Sequence, residues 1–416
     1  MKYGLIGTNV EFSYSKKLHE MMGREKYELL VIKPEQLGLF LTKKEFIGIN
    51  VTMPYKVDCM QYLDNVEQRA RQIGAVNTII NQRGFLMGYN TDYIGFIYLL
   101  NKNNVEVFGK DCVVMGSGGT SKMIRVALQN KGARRIRYCS RNRNNGMSYK
   151  DLAVDIDVQV LINATPVGKY PNIDETPVDI SQMKALETVI DINYDPYTTA
   201  LGVDAKERGL KYVGGIDMLV MQAGAAHKLF TNRRVNDEEV AKLTKKIIRS
   251  SVNIVLIGMM GAGKTTIGKK LAKKLRKRFI DTDDLVEQSA DASISDVIKY
   301  RGLKDFRRME ANVILRCSKV KNAVIATGGG SIENIDNIRR LRKNGIIVFL
   351  NRDIEKEIKV AFADEYKKRP LAIDEAKFRE LYANRYAIYK KCADIIIEDN
   401  DDIKSIVKEI IEKAGI

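Results

Sequence analysis

Short apolar runs rich in Val and Ile alternate along this chain with longer stretches whose apolar residues recur at helical spacing, as where Val113-Val114-Met115 is followed by a glycine turn and then by Met123 to Leu128. An unbroken apolar run suits a strand covered on both faces, and an amphipathic stretch suits a helix that covers it. The alternation therefore predicts an α/β chain with largely parallel sheets. The segment Met1 to Thr8 reads as the first strand, and a second clean beginning, Val252 to Gly258, follows the charged helical stretch Asp237 to Ser250. This pattern predicts a main boundary near Ser250, with one unit over 1–249 and another over 250–416. A fresh strand near Asp111 splits the first unit into a lobe of residues 1–100, completed by a helical tail at 214–249, and a nucleotide-binding lobe at 101–213. Internal repeats, low-complexity tracts and long Pro/Gly/Ser linkers are absent from the sequence.

Composition narrows the chemistry. With 416 residues, and at ~150 residues per domain, the chain has room for two or three cores. A hydrophobic fraction of 45% and a charged fraction of 29% are ordinary for a packed globular protein. The net charge of +17 comes from Lys and Arg dispersed along the chain without a nucleic-acid motif, so a basic surface and small anionic ligands are expected and nucleic acid is not. Cys59, Cys112, Cys139, Cys317 and Cys392 are odd in number and far apart, which argues against a disulfide framework or a zinc site. No apolar run approaches the ~18 residues of a membrane helix. The expectation is a cytoplasmic chain with no membrane partner. Only His19 and His227 could supply imidazole, so proton transfer must come from other side chains, and His19 is read as structural.

The sharpest local motif is Gly258-Met259-Met260-Gly261-Ala262-Gly263-Lys264-Thr265, followed by Thr266. It lies between an apolar strand and a helix, where backbone N–H groups and a helix N-terminus converge on phosphate oxygens. In that setting Lys264 would meet the β and γ phosphates and the Thr265 hydroxyl would hold Mg²⁺. The next strand ends in Phe279-Ile280-Asp281-Thr282-Asp283, placing two carboxylates at the edge where α/β sheets bind ligands. One can serve the metal, here Asp281, and the other the acceptor hydroxyl. With Phe306-Arg307-Arg308, Gly328-Gly329-Gly330, Arg369-Pro370-Leu371, and Arg385 ahead of Tyr389, the series resembles the shikimate kinases over residues 252–416. The resemblance implies Asp283 as candidate base, Arg307 and Arg385 on the shikimate carboxylate with Gly329 and Gly330 at the ring, and Arg369 as a lid arginine that contacts ATP and stabilises transferred charge. Gly261, Ala262, Gly263 and Thr266 complete the nucleotide contacts. Leu303 stands where that family usually has an acidic residue.

In the first unit the turn Gly116-Ser117-Gly118-Gly119-Thr120 follows the strand Cys112 to Met115, as a dinucleotide-binding turn does. The next strand ends in Ser140-Arg141-Asn142-Arg143 rather than in the acidic residue that would bond a ribose 2′-OH, so NADP(H) is favoured over NAD. Polar clusters stand at the ends of apolar stretches: Ser13-Tyr14-Ser15, Asn50 to Lys56, Gly74 to Thr78 and Gly88 to Asp92. Uncharged hydroxyl and amide groups of this kind pair with the hydroxyls of a sugar-like ring. With Asn163-Ala164-Thr165-Pro166-Val167-Gly168 and Met218 to Ala223, these segments resemble the shikimate dehydrogenases over residues 3 to about 245. The resemblance implies Lys56 and Asp92 as the catalytic pair and Ser13, Ser15, Thr52, Asn77, Tyr194 and Gln222 around the substrate. Ile192 and Gly215 join the cofactor contacts, and Asp217 stands where glycine is common near the nicotinamide.

Together the two resemblances imply a bifunctional enzyme that reduces 3-dehydroshikimate to shikimate and then phosphorylates shikimate. The rival readings are a quinate/shikimate dehydrogenase joined to another small-metabolite kinase, and a non-catalytic regulator that senses shikimate.

Overall fold

The computed structural model describes residues 2–11, 13–23, 25–141, 146–362, 374–400 and 402–416. The chain divides into two compact units, Met1–Thr244 and Lys245–Ile416, and the division falls within the helix Asp237–Ser251.

The first unit holds two sheets. Strands β1 (Tyr3–Gly7), β2 (Tyr27–Val31), β3 (Gly48–Val51), β4 (Asn65–Val66), β5 (Thr78–Gln82) and β6 (Phe85–Tyr89) lie in the order β2-β1-β3-β5-β6-β4. β1 is parallel to β2 and β3, but β5 runs antiparallel to both β3 and β6. Of the three sheets this is the mixed one, and its β5–β6 pairing has a local cause. Arg83 and Gly84 link β5 to β6 with φ of 54° and 94°, the left-handed pair that closes a two-residue hairpin. The long helices Thr91–Lys102 and Ile216–Thr231 cross at Gly95, where a Cβ would lie 2.6 Å from the Met218 carbonyl oxygen. Glycine there lets the two backbones touch.

The second sheet contains β7 (Asp111–Met115), β8 (Arg135–Cys139), β9 (Val160–Asn163), β10 (Thr188–Asp191) and β11 (Lys211–Gly214), ordered β11-β10-β9-β7-β8 and parallel throughout. Val114 packs into the core on one face and Val113 into that on the other, which is why β7 reads as an unbroken apolar run. Strand order reverses at the β9–β7 neighbours, and that reversal opens a crevice above their carboxyl ends.

The second unit is built on β12 (Asn253–Ile257), β13 (Arg278–Asp281), β14 (Ala323–Ala326), β15 (Gly345–Asn351) and β16 (Ile395–Glu398), all parallel in the order β13-β14-β12-β15-β16. Central β12 is wholly buried, so the phosphate-binding loop that follows it springs from the most constrained strand of the sheet. Among the described residues no helix is long and apolar enough to cross a membrane.

Candidate active sites

In the first unit, Lys56 follows β3 and Asp92 lies in the first turn of the helix Thr91–Lys102. Lys56 Nζ donates to Asp92 Oδ2 at 2.6 Å and to Thr120 Oγ1 at 3.3 Å, so the nucleotide-side helix reaches the ammonium directly. Asn90 caps that helix, its side chain accepting from the Tyr93 N–H at 3.3 Å. Asn77 holds the next residue: its Oδ1 accepts from the Thr91 N–H at 2.7 Å and its Nδ2 donates to Thr91 Oγ1 at 3.0 Å. Asp92 is thereby fixed by a buried polar network, which aligns its carboxylate without using its charge.

The other residues expected around the substrate have contacts of their own. Ser13 Oγ donates to Ser15 Oγ at 3.0 Å at the start of the helix Ser15–Met22. Thr52 packs on Gly7, where a Cβ would meet its methyl carbon at 2.5 Å. The Tyr194 ring meets Tyr14 edge-on at 5.7 Å, and burial pushes the Tyr194 hydroxyl up to about 12. Gln222 Nε2 donates to the Leu219 carbonyl at 2.9 Å within its own helix. His19 is buried and stacks on Tyr27 at 4.3 Å, and burial with nearby His227 pushes it down to about 3. An imidazole held neutral in this way suits the structural role expected of it.

The glycine turn lies against Lys56. A Cβ on Gly119 would stand 3.3 Å from Lys56 Cβ, and Gly116 adopts φ 113° beside the Ala164 carbonyl. A side chain at either position would crowd this turn, which has the form expected of a dinucleotide-binding turn. A Cβ on Gly215 would strike the Ile192 carbonyl oxygen at 2.0 Å, so these two residues, both expected to contact the cofactor, are in backbone contact. Gly118 caps the helix Gly119–Asn130, with Ser117 before it and Thr120 in its first turn. Ser140 is buried and Arg141 exposed at the end of β8, while Asn142 and Arg143 lie outside the described residues. Asp217 is paired with Lys102 at 2.6 Å in the first turn of Ile216–Thr231, so its charge is compensated by a cation and a helix N-terminus.

Sequence reasoning did not single out Asp191. It is fully buried at the end of β10 and accepts from Thr199 Oγ1 at 2.7 Å, Asn163 Nδ2 at 3.1 Å and the Asn193 N–H at 3.0 Å. Burial raises its carboxyl to about 6 against those bonds. It ties together the loops that leave β9 and β10.

In the second unit the loop after β12 has φ of 148°, 92° and 83° at Gly258, Gly261 and Gly263, left-handed values that a side chain would strain. Ala262 is buried within it. Lys264 opens the helix Lys264–Leu275 and donates to the carbonyls of Gly258 and Met259, both at 2.8 Å. Thr265 Oγ1 donates to Asp281 Oδ2 at 2.8 Å, while Asp281 Oδ1 accepts from the Asp283 N–H at 3.1 Å. Asp281 therefore caps the helix Thr282–Ala290 and also meets Thr265. A hydroxyl and a carboxylate oxygen side by side are hard donors of the kind Mg²⁺ takes beside phosphates.

Asp283 faces the glycine run after β14: a Cβ on Gly328 would lie 2.6 Å from its Oδ1, and one on Gly330 would lie 2.0 Å from Arg307 Nη2. Arg307 Nη1 donates to Glu310 Oε2 at 2.9 Å. The Tyr389 hydroxyl donates to the Gly329 carbonyl and its ring stacks on Phe349 at 4.9 Å, anchoring the helix Glu375–Cys392 that carries Arg385. Arg369 lies outside the described residues.

A cavity of about 170 Å³ opens beside the phosphate loop, lined by Gly263, Thr266, Asn351, Arg352, Glu398 and Asp399 among others. It lies at the carboxyl ends of β12, β15 and β16, and that rule of parallel sheets was the available sequence signal for its residues. On the helix Ile354–Ala361, Glu357 is 1% exposed and its Oε2 has no hydrogen-bond partner among the described residues. Burial raises its carboxyl to about 8, opposed by Lys264 and Arg352. A carboxyl raised on folding contributes its full stability below the unfolded value of about 4.5 and loses it as pH rises through about 8. Glu357→Gln is expected to raise the second unit's calorimetric melting temperature at pH 9 by at least about 3 °C, the effect of about 1 kcal/mol in a unit of this size. At pH 5, just above the unfolded value, most of the gain should be gone, and an equal shift at both pH values would refute the assignment.

The comparisons with known proteins divide along the chain. Residues 5–79 match the family model "Shikimate dehydrogenase substrate binding domain" and residues 260–414 match "Shikimate kinase". The NADP(+) shikimate dehydrogenase of Clostridium beijerinckii is 35% identical over 253 residues, covering 57% of this chain and 94% of that protein. That of Bacillus cereus is 33% identical over 266 residues, covering 58% and 96%. Among solved structures, a chorismate mutase/shikimate 5-dehydrogenase fusion from Clostridium acetobutylicum is 35% identical with a TM-score of 0.56, covering 59% of this chain and 96% of its own. The Thermus thermophilus shikimate 5-dehydrogenase, solved with NADP(H) and shikimate, is 26% identical with a TM-score of 0.53, covering 59% and 99%. By these matches the chain belongs to the shikimate dehydrogenase family and continues, at residues 260–414, into a shikimate kinase domain.

Proposed function

We propose that the first unit reduces 3-dehydroshikimate to shikimate with NADPH and that the second converts shikimate to shikimate 3-phosphate with Mg-ATP. The observation that supports the first reaction best is the 2.6 Å contact of Lys56 with Asp92 beside the glycine turn. Bound NADPH supplies the hydride. As the carbonyl carbon accepts it, the oxygen gains charge, and the Lys56 ammonium donates a proton to that oxygen while Asp92 holds the lysine in place. Ser13, Ser15, Thr52, Asn77, Tyr194 and Gln222 orient the ring. NADP(+) in the names of the relatives supports the cofactor.

In the second unit Lys264 and the loop N–H groups hold the ATP phosphates, Asp283 takes the proton of the acceptor hydroxyl, and Arg307 and Arg385 bind the carboxylate. Thr265 and Asp281 would hold Mg²⁺, which would supply positive charge beside the phosphates. Arg369 is proposed as a further cation on the transferred group. The five cysteines are free and buried, which supports a reducing, cytoplasmic setting. The proposed partners are small molecules only, with neither nucleic acid nor membrane.

Initial rates on a single preparation test both halves. NADPH oxidation should require 3-dehydroshikimate, and ADP formation should require shikimate and magnesium. Silence in both assays with shikimate still bound would replace the enzyme reading with that of a sensor.

A further inference from the structure

The arginine pair assigned to the substrate carboxylate already holds a carboxylate of this chain. Arg385 donates through Nε at 2.8 Å and Nη2 at 2.5 Å to Glu333 Oε1, and Arg307 Nη2 donates to Glu333 Oε2 at 3.0 Å. We infer that Glu333 is a built-in competitor for the shikimate carboxylate, filling the Arg307–Arg385 fork until substrate displaces it and so setting both affinity and selectivity against other anions. This inference rests on the kinase reading of the second unit.

The anchoring of the partners differs. The Arg385 side chain is 3% exposed, and Arg307 is clamped between Gly330 and the buried Glu310. Neither guanidinium can move far. The backbone beneath Glu333 is also fixed: its N–H donates to the Gly330 carbonyl at 3.1 Å, and Ser331 Oγ donates to Glu310 Oε1 at 2.6 Å. Only the Glu333 side chain, 41% exposed, is free to turn out into water.

Charge favours its turning. Glu310 and Glu333 already balance the two positive charges of Arg307 and Arg385, so a third carboxylate entering the same fork would meet Glu333 at close range. Before substrate arrives the pairing has a use, because a buried guanidinium without a counter-charge is costly and would attract any small anion. A half-exposed carboxylate binds weakly enough to be displaced. Glu333 thus satisfies the fork without closing it permanently.

The test uses the full chain, with wild type compared to Glu333→Gln and Glu333→Asp in ADP-formation kinetics and in calorimetric titration with shikimate. Apparent affinity scales with the fraction of forks open to substrate, so Glu333→Gln should lower both Kd and KM for shikimate by about fivefold to tenfold. The change should fall in KM rather than kcat and leave the KM for ATP unmoved. Chloride, acting as a competitor of shikimate, should inhibit the Gln variant at lower concentration than wild type. Glu333→Asp, one methylene shorter, should shift KM the same way by less, and it gives a second reading if the Gln variant fails to fold. An unchanged or raised shikimate KM in these variants would overturn the inference and make Glu333 a positioning residue. If wild type neither binds shikimate nor forms ADP with it, the kinase reading itself fails and takes this inference with it.

Discussion

Replacing Lys56 by methionine is expected to lower kcat for 3-dehydroshikimate reduction by about 10²- to 10⁴-fold, the range that a positioned proton donor contributes. Methionine keeps most of the stem that packs beside Gly119, so the cofactor cradle should persist. What disappears is the ammonium that Asp92 holds at 2.6 Å. The variant should therefore bind NADPH as wild type does, checked by fluorescence titration, while stopped-flow reduction slows. Asp92→Asn should slow the reaction less, since the lysine remains as donor but loses its alignment. If Lys56→Met reduced the ketone at the wild-type rate, proton donation would have to come from another group.

Lys264→Ala should be as damaging to the second reaction, lowering kcat for ADP formation by about 10²- to 10³-fold, the usual cost of losing one preorganised stabilising donor at the reacting group. The lysine stands at the mouth of a loop whose glycines hold left-handed φ angles, and no neighbouring side chain of that loop carries a positive charge. Steady-state assays on both variants should give crossed results, each losing one activity and retaining the other. Parallel loss of both activities from either substitution would show that the variants damage folding rather than chemistry.

The phosphate loop was legible in the sequence because its residues are contiguous and their backbone demands are glycine's own. Lys56, Asp92 and Asn77 were named through motifs, and the structure brings them together through Thr91 and Thr120. Ion pairs that no motif names were not legible. Glu333 lies 26 residues from Arg307 and 52 from Arg385, with no periodic or motif signal to connect them. Glu357 reads as one acidic residue on an amphipathic helix, and only packing reveals that its carboxyl is sealed from water. The tight β5–β6 hairpin hinges on Arg83 adopting a conformation more usual for glycine or asparagine. Asp217, a departure in the linear comparison, is accounted for by a lysine 115 residues away.

The division between the two units falls inside one helix, so both catalytic units are made in every translation event. Two separate genes could adjust the ratio of reductase to kinase through promoters or ribosome-binding strength. This chain fixes that ratio at one copy of each. The balance of flux, and with it the standing pool of shikimate, is then set by amino-acid changes that alter the turnover or affinity of one unit relative to the other. Residues that tune affinity without touching the chemistry do in such a fusion the work that gene dosage does elsewhere.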